Sequence, residues 1–225
     1  MISARKTREL LALMLHLEAP VSKERLLEEL WPESDPQSDS ALFRTTTYYL
    51  RKQLDQESLG DLVSYQHYNY SLRNDFYILD WKTFEWLIPA GMQEEPLKEV
   101  GAGMLSRAVR LYRGDYLAEA VDYSWAVPRQ VRFKHLYIEA LLNLARYYRG
   151  RGKQARARDF LLLLIEEEPL CEPAHRLLMQ VYASLGERRA LFNEKNRFGL
   201  MLREEIGLPP DSVTKELYLR LGCSE

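Results

Sequence analysis

Residues 40–54, SALFRTTTYYLRKQL, decide how the rest of the chain is read. At helical spacing Phe43, Thr47, Leu50 and Leu54 fall on one stripe, and Arg44, Thr45, Tyr48, Arg51 and Lys52 fall on the other side. One face can pack while the other offers two guanidinium forks, a hydroxyl, a phenol and an ammonium. Such groups suit base edges and phosphate oxygens in a major groove that admits one helix. Taken alone, the same pattern also fits an ordinary surface helix with a solvated flank, so the neighbouring segments have to decide.

Upstream, residues 3–17 read as a first helix with Leu10, Leu11, Leu13, Met14 and Leu17 as its apolar stripe, broken at Glu18-Ala19-Pro20. Ser22 then suits the N-cap of a second helix, whose apolar residues are Leu26, Leu27, Leu30 and Trp31. The stretch from Pro32 to Asp39 reads as a polar loop. Downstream of Gly60 the pattern changes to a strand from Leu62 to Gln66, a turn at His67-Tyr68-Asn69 and a returning strand from Tyr70 to Arg73. Asn69 is the residue expected to take the left-handed conformation of that turn. Two helices, a longer helix and a hairpin are the order of a winged helix-turn-helix.

The RTTTYYLRKQL segment, with Leu50-Arg51-Lys52-Gln53-Leu54 matching an LRxxL signature, and the hairpin ending Tyr70-Ser71-Leu72 resemble the DNA-binding end of SARP-type bacterial transcriptional regulators. Four further features look like the bacterial transcriptional activator domain: residues 108–117, Trp125 with Arg129, residues 168–190 and residues 203–218. The resemblance covers nearly the whole chain. It implies that Arg44, Thr45, Tyr48, Arg51 and Lys52 face the major groove of double-stranded DNA, that Lys23 holds the sugar-phosphate backbone, and that His67 and Asn69 approach the minor groove. It also implies activation of transcription, with RNA polymerase or a second protomer as protein partner. Two departures from the family stand out: Tyr49 sits where another arginine is usual, and no sheet precedes the first helix. Either the chain is part of a longer regulator, with a receiver domain upstream, or its winged helix is stripped down.

A 34-residue repeat supports the second half independently. Leu144 recurs as Leu178, Tyr148 as Tyr182 and Gly152 as Gly186, at the period of tetratricopeptide helix pairs. Leu191, Lys195 and Arg203 make the later part of the second unit degenerate, as a terminal repeat is expected to be. The expected fold is therefore mainly α: a winged helix over 1–75 with a small β-hairpin wing, then a tetratricopeptide-like helical domain over 76–225. Trp81, Phe84, Trp86 and Leu87 read as core and domain junction, with Asp80 as a cap.

Composition bounds the chemistry. Hydrophobic residues make up 46 % and charged residues 28 % of the chain, the balance of a globular protein. There is no apolar run long enough to cross a membrane and no signal-peptide core, so a cytoplasmic location is expected. Cys171 and Cys223 lack metal or redox spacing and read as free thiols. His16, His67, His135 and His175 are scattered, which gives no metal site, and Gly101-Ala102-Gly103 lacks the third glycine of a dinucleotide fingerprint. With no nucleophile motif and the glutamates at 166–168 read as a solvated helix end, neither catalysis nor a cofactor is expected. The stretch 1–75 holds nine basic and twelve acidic side chains, net −3, an unfavourable balance for a polyanion binder. That balance keeps a rival open: an interaction or ligand-sensing scaffold whose winged helix no longer binds DNA.

Overall fold

The structure is a computed structural model, and it describes residues 4–32, 36–93, 96–118 and 123–222. The chain is mainly helical and packs as two compact units: residues 1–79 with 115–130, and residues 80–114 with 131–225.

The first unit begins with α1 (Ala4–Leu17), β1 (Val21–Ser22) and α2 (Lys23–Leu30). Ser22 caps α2 as its position suggested, its Oγ accepting from the Arg25 N–H at 3.3 Å. The next helix, α3, spans Pro36–Gln56 and so starts earlier than the expected Ser40. Proline cannot continue a helix but is well suited to open one, because its fixed φ is already helical and its missing N–H has no partner at that position. Residues 33–35, in the expected loop, lie outside the described residues, as do residues 1–3.

The hairpin pairs β2 (Val63–Gln66) with β3 (Asn69–Leu72), and β1 adds to the free side of β3. All pairings are antiparallel, with Tyr65 opposite Tyr70, Gln66 opposite Asn69 and Val21 opposite Tyr70. This register leaves a two-residue turn. His67 (φ 49°) and Tyr68 (φ 64°) are its left-handed residues, not Asn69. Asn69 is already paired in the ladder and supports the turn through its side chain, Nδ2 donating to the His67 carbonyl at 3.0 Å.

Leu10, Leu13, Met14, Leu26, Leu30, Phe43, Leu50, Leu54, Leu62 and Val63 form the core of this unit, all nearly inaccessible. Burying each such side chain contributes roughly 1.5–3 kcal/mol. Trp125 packs against the same core and returns the 115–130 segment to it. His16 lies beside Trp125, ring centroids 4.8 Å apart, and the Arg129 guanidinium donates to the His16 carbonyl at 3.1 Å. Burial, and then the Arg129 charge, lower the His16 pKa from 6.5 to about 4, with Glu18 opposing.

The second unit contains α4 (Asp80–Gly91), α5 (Glu99–Leu111), α6 (Val127–Gly150, whose first turn belongs to the first unit), α7 (Gln154–Glu167), α8 (Glu172–Leu185), α9 (Arg188–Glu205) and α10 (Ser212–Arg220). Phe84 and Leu87 are buried as expected, whereas Trp86 is 62 % exposed because its position on α4 turns it away from the packed face. Gly101 has a packing reason rather than a cofactor role. A Cβ there would run into the Gly91 carbonyl oxygen, so α4 and α5 approach at a distance only glycine allows.

The 34-residue period is visible in the backbone. Gly152 and Gly186 both have φ 72°, and the turns beside them close identically: Lys153 N–H to Tyr148 O and Glu187 N–H to Tyr182 O, each 2.9 Å. Leu144 and Leu178 are both inaccessible. His175 is buried too, while His135 is exposed on α6. Asp211 caps α10 by accepting from the Thr214 N–H at 2.6 Å, and its other oxygen accepts from Arg176 of α8 at 2.7 Å. Cys171 is free; Cys223 lies outside the described residues.

Candidate nucleic-acid interface

The candidate surface is built on α3. Phe43, Thr47, Leu50 and Leu54 are buried, and Thr46 joins them with no accessible surface. The Oγ1 atoms of Thr46 and Thr47 have no hydrogen-bond partner among the described residues. Packing this stripe fixes the rotation of the helix about its axis. The opposite flank presents Arg44, Tyr48, Arg51 and Lys52, all exposed, and Tyr48 at 61 %.

Individual side chains differ in how freely they can reach outward. The Arg44 Nε donates to the Ser40 carbonyl one turn back at 3.3 Å, which orders the exposed guanidinium along the helix. Thr45 is half-buried and its hydroxyl donates to the Ala41 carbonyl at 2.8 Å, so it retains only acceptor capacity. Lys23, at the start of α2, donates to Ser40 Oγ at 2.8 Å and thereby joins the two helices where they meet.

The wing is keyed to this helix by aromatic contact. Phe43 meets Tyr70 edge-on at 5.1 Å, and Tyr70 meets its cross-strand neighbour Tyr65 at 4.6 Å. The Tyr70 pKa is raised, first by burial and then by Tyr65, while the charge of Arg51 opposes the rise. At the tip His67 is exposed and Asn69 half-buried.

The structure places Lys23 at the start of α2 beside Ser40, sets Arg44, Thr45, Tyr48, Arg51 and Lys52 along α3, and puts His67 and Asn69 at the hairpin tip. Sequence reasoning missed three exposed tyrosines that share these elements: Tyr49 (43 %), Tyr65 (51 %) and Tyr68 (85 %). Tyr49 stands edge-on to Tyr48 at 5.5 Å. Alternation gave no signal for Tyr65, which shares the strand face of buried Val63 yet is exposed nearer the hairpin turn. Among the described residues no cluster of His, Cys, Asp or Glu could hold a metal ion, and no helix is long and apolar enough to cross a membrane.

Residues 79–221 match the family described as bacterial transcriptional activator domain. The chain belongs to that family. Residues 2–66 match a second family, described as transcriptional regulatory protein, C terminal, and the two in this order are those of a SARP-type transcriptional regulator. Both are regulator families rather than enzyme families. The chain is 25 % identical over 228 residues to transcriptional regulator RedD of Streptomyces coelicolor, a match covering 98 % of this chain and 65 % of that protein. Its fold is similar to that of Mycobacterium tuberculosis EmbR, solved in complex with a low affinity phosphopeptide, at a TM-score of 0.73 and 22 % identity. That match covers 99 % of this chain and 60 % of EmbR, so the chain spans less than two thirds of either relative's length.

Proposed function

We propose that this regulator binds promoter DNA by laying the outer flank of α3 in the major groove, and that it activates transcription in the cytoplasm. Residues 1–75 are the DNA-binding part in this reading, and residues 76–225 contact protein partners through their tetratricopeptide-like helices. RNA polymerase and a second protomer are the partners in view, and two protomers on paired half-sites would offset weak binding by each one. Arg44 and Arg51 contact base edges or adjacent phosphates, and Lys52 and Lys23 contact phosphates. Thr45 and Tyr48 fill the groove wall, and His67 and Asn69 reach the minor groove. A good bidentate contact from either arginine is worth roughly 1–3 kcal/mol of base discrimination. The observation that carries the reading is the segregation of α3: one flank wholly packed, the other lined with exposed Arg44, Tyr48, Arg51 and Lys52.

The test is a titration of duplexes taken from upstream of its own and neighbouring genes, repeated at several salt concentrations. Binding should weaken linearly on a log–log plot as salt rises. A flat plot, or no complex at low salt, ends the proposal. The net charge of −3 over the stretch 1–75 favours a second reading, an interaction scaffold that does not touch DNA. Arg44→Ala with Arg51→Ala separates the two: a folded variant that loses reporter expression supports DNA recognition, and unchanged expression supports the scaffold.

A further inference from the structure

The acidic balance of the winged helix leaves a DNA-binding chain short of positive charge, and the second unit holds the largest local surplus. Between residues 146 and 158 lie Arg146, Arg149, Arg151, Lys153, Arg156 and Arg158, with no aspartate or glutamate among them. No other stretch of that length in the chain holds as many cations.

Two of the six are committed to neighbours. Arg149 bonds to Gln180, and Arg158 lies within 3.4 Å of Glu187 and 3.5 Å of Asp159. Arg151, Lys153 and Arg156, around the turn from α6 to α7, are exposed and form no ion pair among the described residues. They rest on aromatic faces instead. Arg151 lies 4.6 Å from the Tyr147 ring centre, and Lys153 and Arg156 lie 6.0 and 5.4 Å from that of Tyr148. Tyr148 is itself stacked on Phe160 at 5.6 Å. A ring face positions a cation without neutralising it, so this arrangement preserves charge that a carboxylate would cancel.

Arg110 of α5 joins the cluster. It lines, with Ser106, Tyr148, Arg156 and Asp159, a groove of about 360 Å³. Guanidinium, ammonium and hydroxyl groups at an open surface are the donors that contact phosphate oxygens, and such contacts need no base-level fit.

We infer that the α6–α7 turn is a second DNA-contacting surface, in which Arg151, Lys153 and Arg156 hold the phosphate backbone and add affinity without sequence preference. The inference rests on the DNA-binding reading of α3 and assigns part of that binding to the helical unit. An acidic protein surface is the competing partner.

The experiment uses the full chain and a labelled mixed-sequence DNA duplex, compared with a variant carrying Arg151→Gln, Lys153→Gln and Arg156→Gln. Each phosphate contact removed should lower the slope of log K against log salt by about one, so the variant should lose about two to three units of slope. A second variant with Arg151→Lys and Arg156→Lys should keep the wild-type slope, since the charge stays. Equal thermal unfolding of all three chains shows that folding is not the cause. A triple variant with the wild-type slope overturns the inference and leaves the α3 reading standing. A wild-type chain that binds no duplex at low salt overturns both. A triple variant that binds DNA normally but fails to activate reconstituted RNA polymerase also overturns the inference, and assigns the surface to an acidic protein.

Discussion

The helix pairs α6–α7 and α8–α9 share a period and a turn, yet at one equivalent interior position they use opposite chemistry. Advancing by one repeat sets His175, Glu194 and Phe198 of the second pair on Leu141, Phe160 and Leu164 of the first. Leu141 and Leu164 are inaccessible apolar side chains. In the second pair His175 is equally inaccessible, but its Nδ1 lies 2.5 Å from Glu194 Oε1 and its Nε2 lies 2.8 Å from the Pro169 carbonyl oxygen. Phe198 stacks on the imidazole at 3.9 Å, and Arg197 Nη2 donates to both Glu194 carboxylate oxygens at 3.0 Å. The same backbone unit is thus held once by apolar packing and once by a buried polar group with its partners in place. Satisfying every polar atom is what makes the second solution tolerable.

Breaking one side of that pair has the largest expected effect. Glu194→Ala or His175→Ala strands the partner in the interior and should cost roughly 3–5 kcal/mol, read as a lowered midpoint in urea unfolding. Converting both positions to the chemistry of the first pair, His175→Leu with Glu194→Phe, should recover most of that loss. Continued destabilisation in the double variant would mean that the two helix pairs are not interchangeable.

Next in size are the two turns. Both glycines have φ 72°, so Gly152→Ala and Gly186→Ala should each cost about 1–2 kcal/mol, and by the same amount. A large inequality between them, in the same unfolding assay, would show that the likeness of the turns is only geometric. Removing the α10 cap with Asp211→Ala is a step smaller, about 1 kcal/mol by thermal unfolding.

The smallest effect expected is a difference in acid response between the units. Burial raises the Glu194 pKa, but the hydrogen bonds from His175 and Arg197 outweigh it and the net shift is downward. A carboxylate with a lowered folded pKa stabilises above its unfolded value, and that contribution is lost as pH falls through the folded value. His16 behaves differently. With a folded pKa of about 4 against 6.5, the unfolded chain takes up the proton first, so its contribution is complete above pH 6.5 and erodes as pH falls toward 4. The wild-type chain should therefore lose more thermal stability between these two values than a His16→Gln chain, while the acid response of a Glu194→Gln chain should depart from wild type only as pH falls through the unfolded carboxylate value of 4.5 and below.

Elements with a strong local period were legible without coordinates. The α3 stripe, the Ser22 cap, the hairpin and the 34-residue repeat each rest on residues close together in the chain, where periodicity and turn chemistry report directly. What escaped was set by distant partners or by register. Nothing near His175 says that Glu194 will meet it, and nothing around Trp125 says that residues 115–130 return to the core of the first unit. The turn was misplaced by one register step, because Asn69 is the residue best suited to a left-handed backbone while the strand pairing selects His67 and Tyr68. On the candidate surface, the charged residues were found by type. Tyr49, Tyr65 and Tyr68 were not, since tyrosine fits a core as readily as an exposed edge.

That hairpin turn bears on how the wing was shaped. Side chains at left-handed positions cost roughly 1–2 kcal/mol each relative to glycine, and His67 and Tyr68 both occupy such positions. An Asn-Gly pair would close the same turn with less strain. The chain instead keeps an imidazole and a phenol on the strained turn, giving up some local stability for reach and chemical variety at the wing's tip.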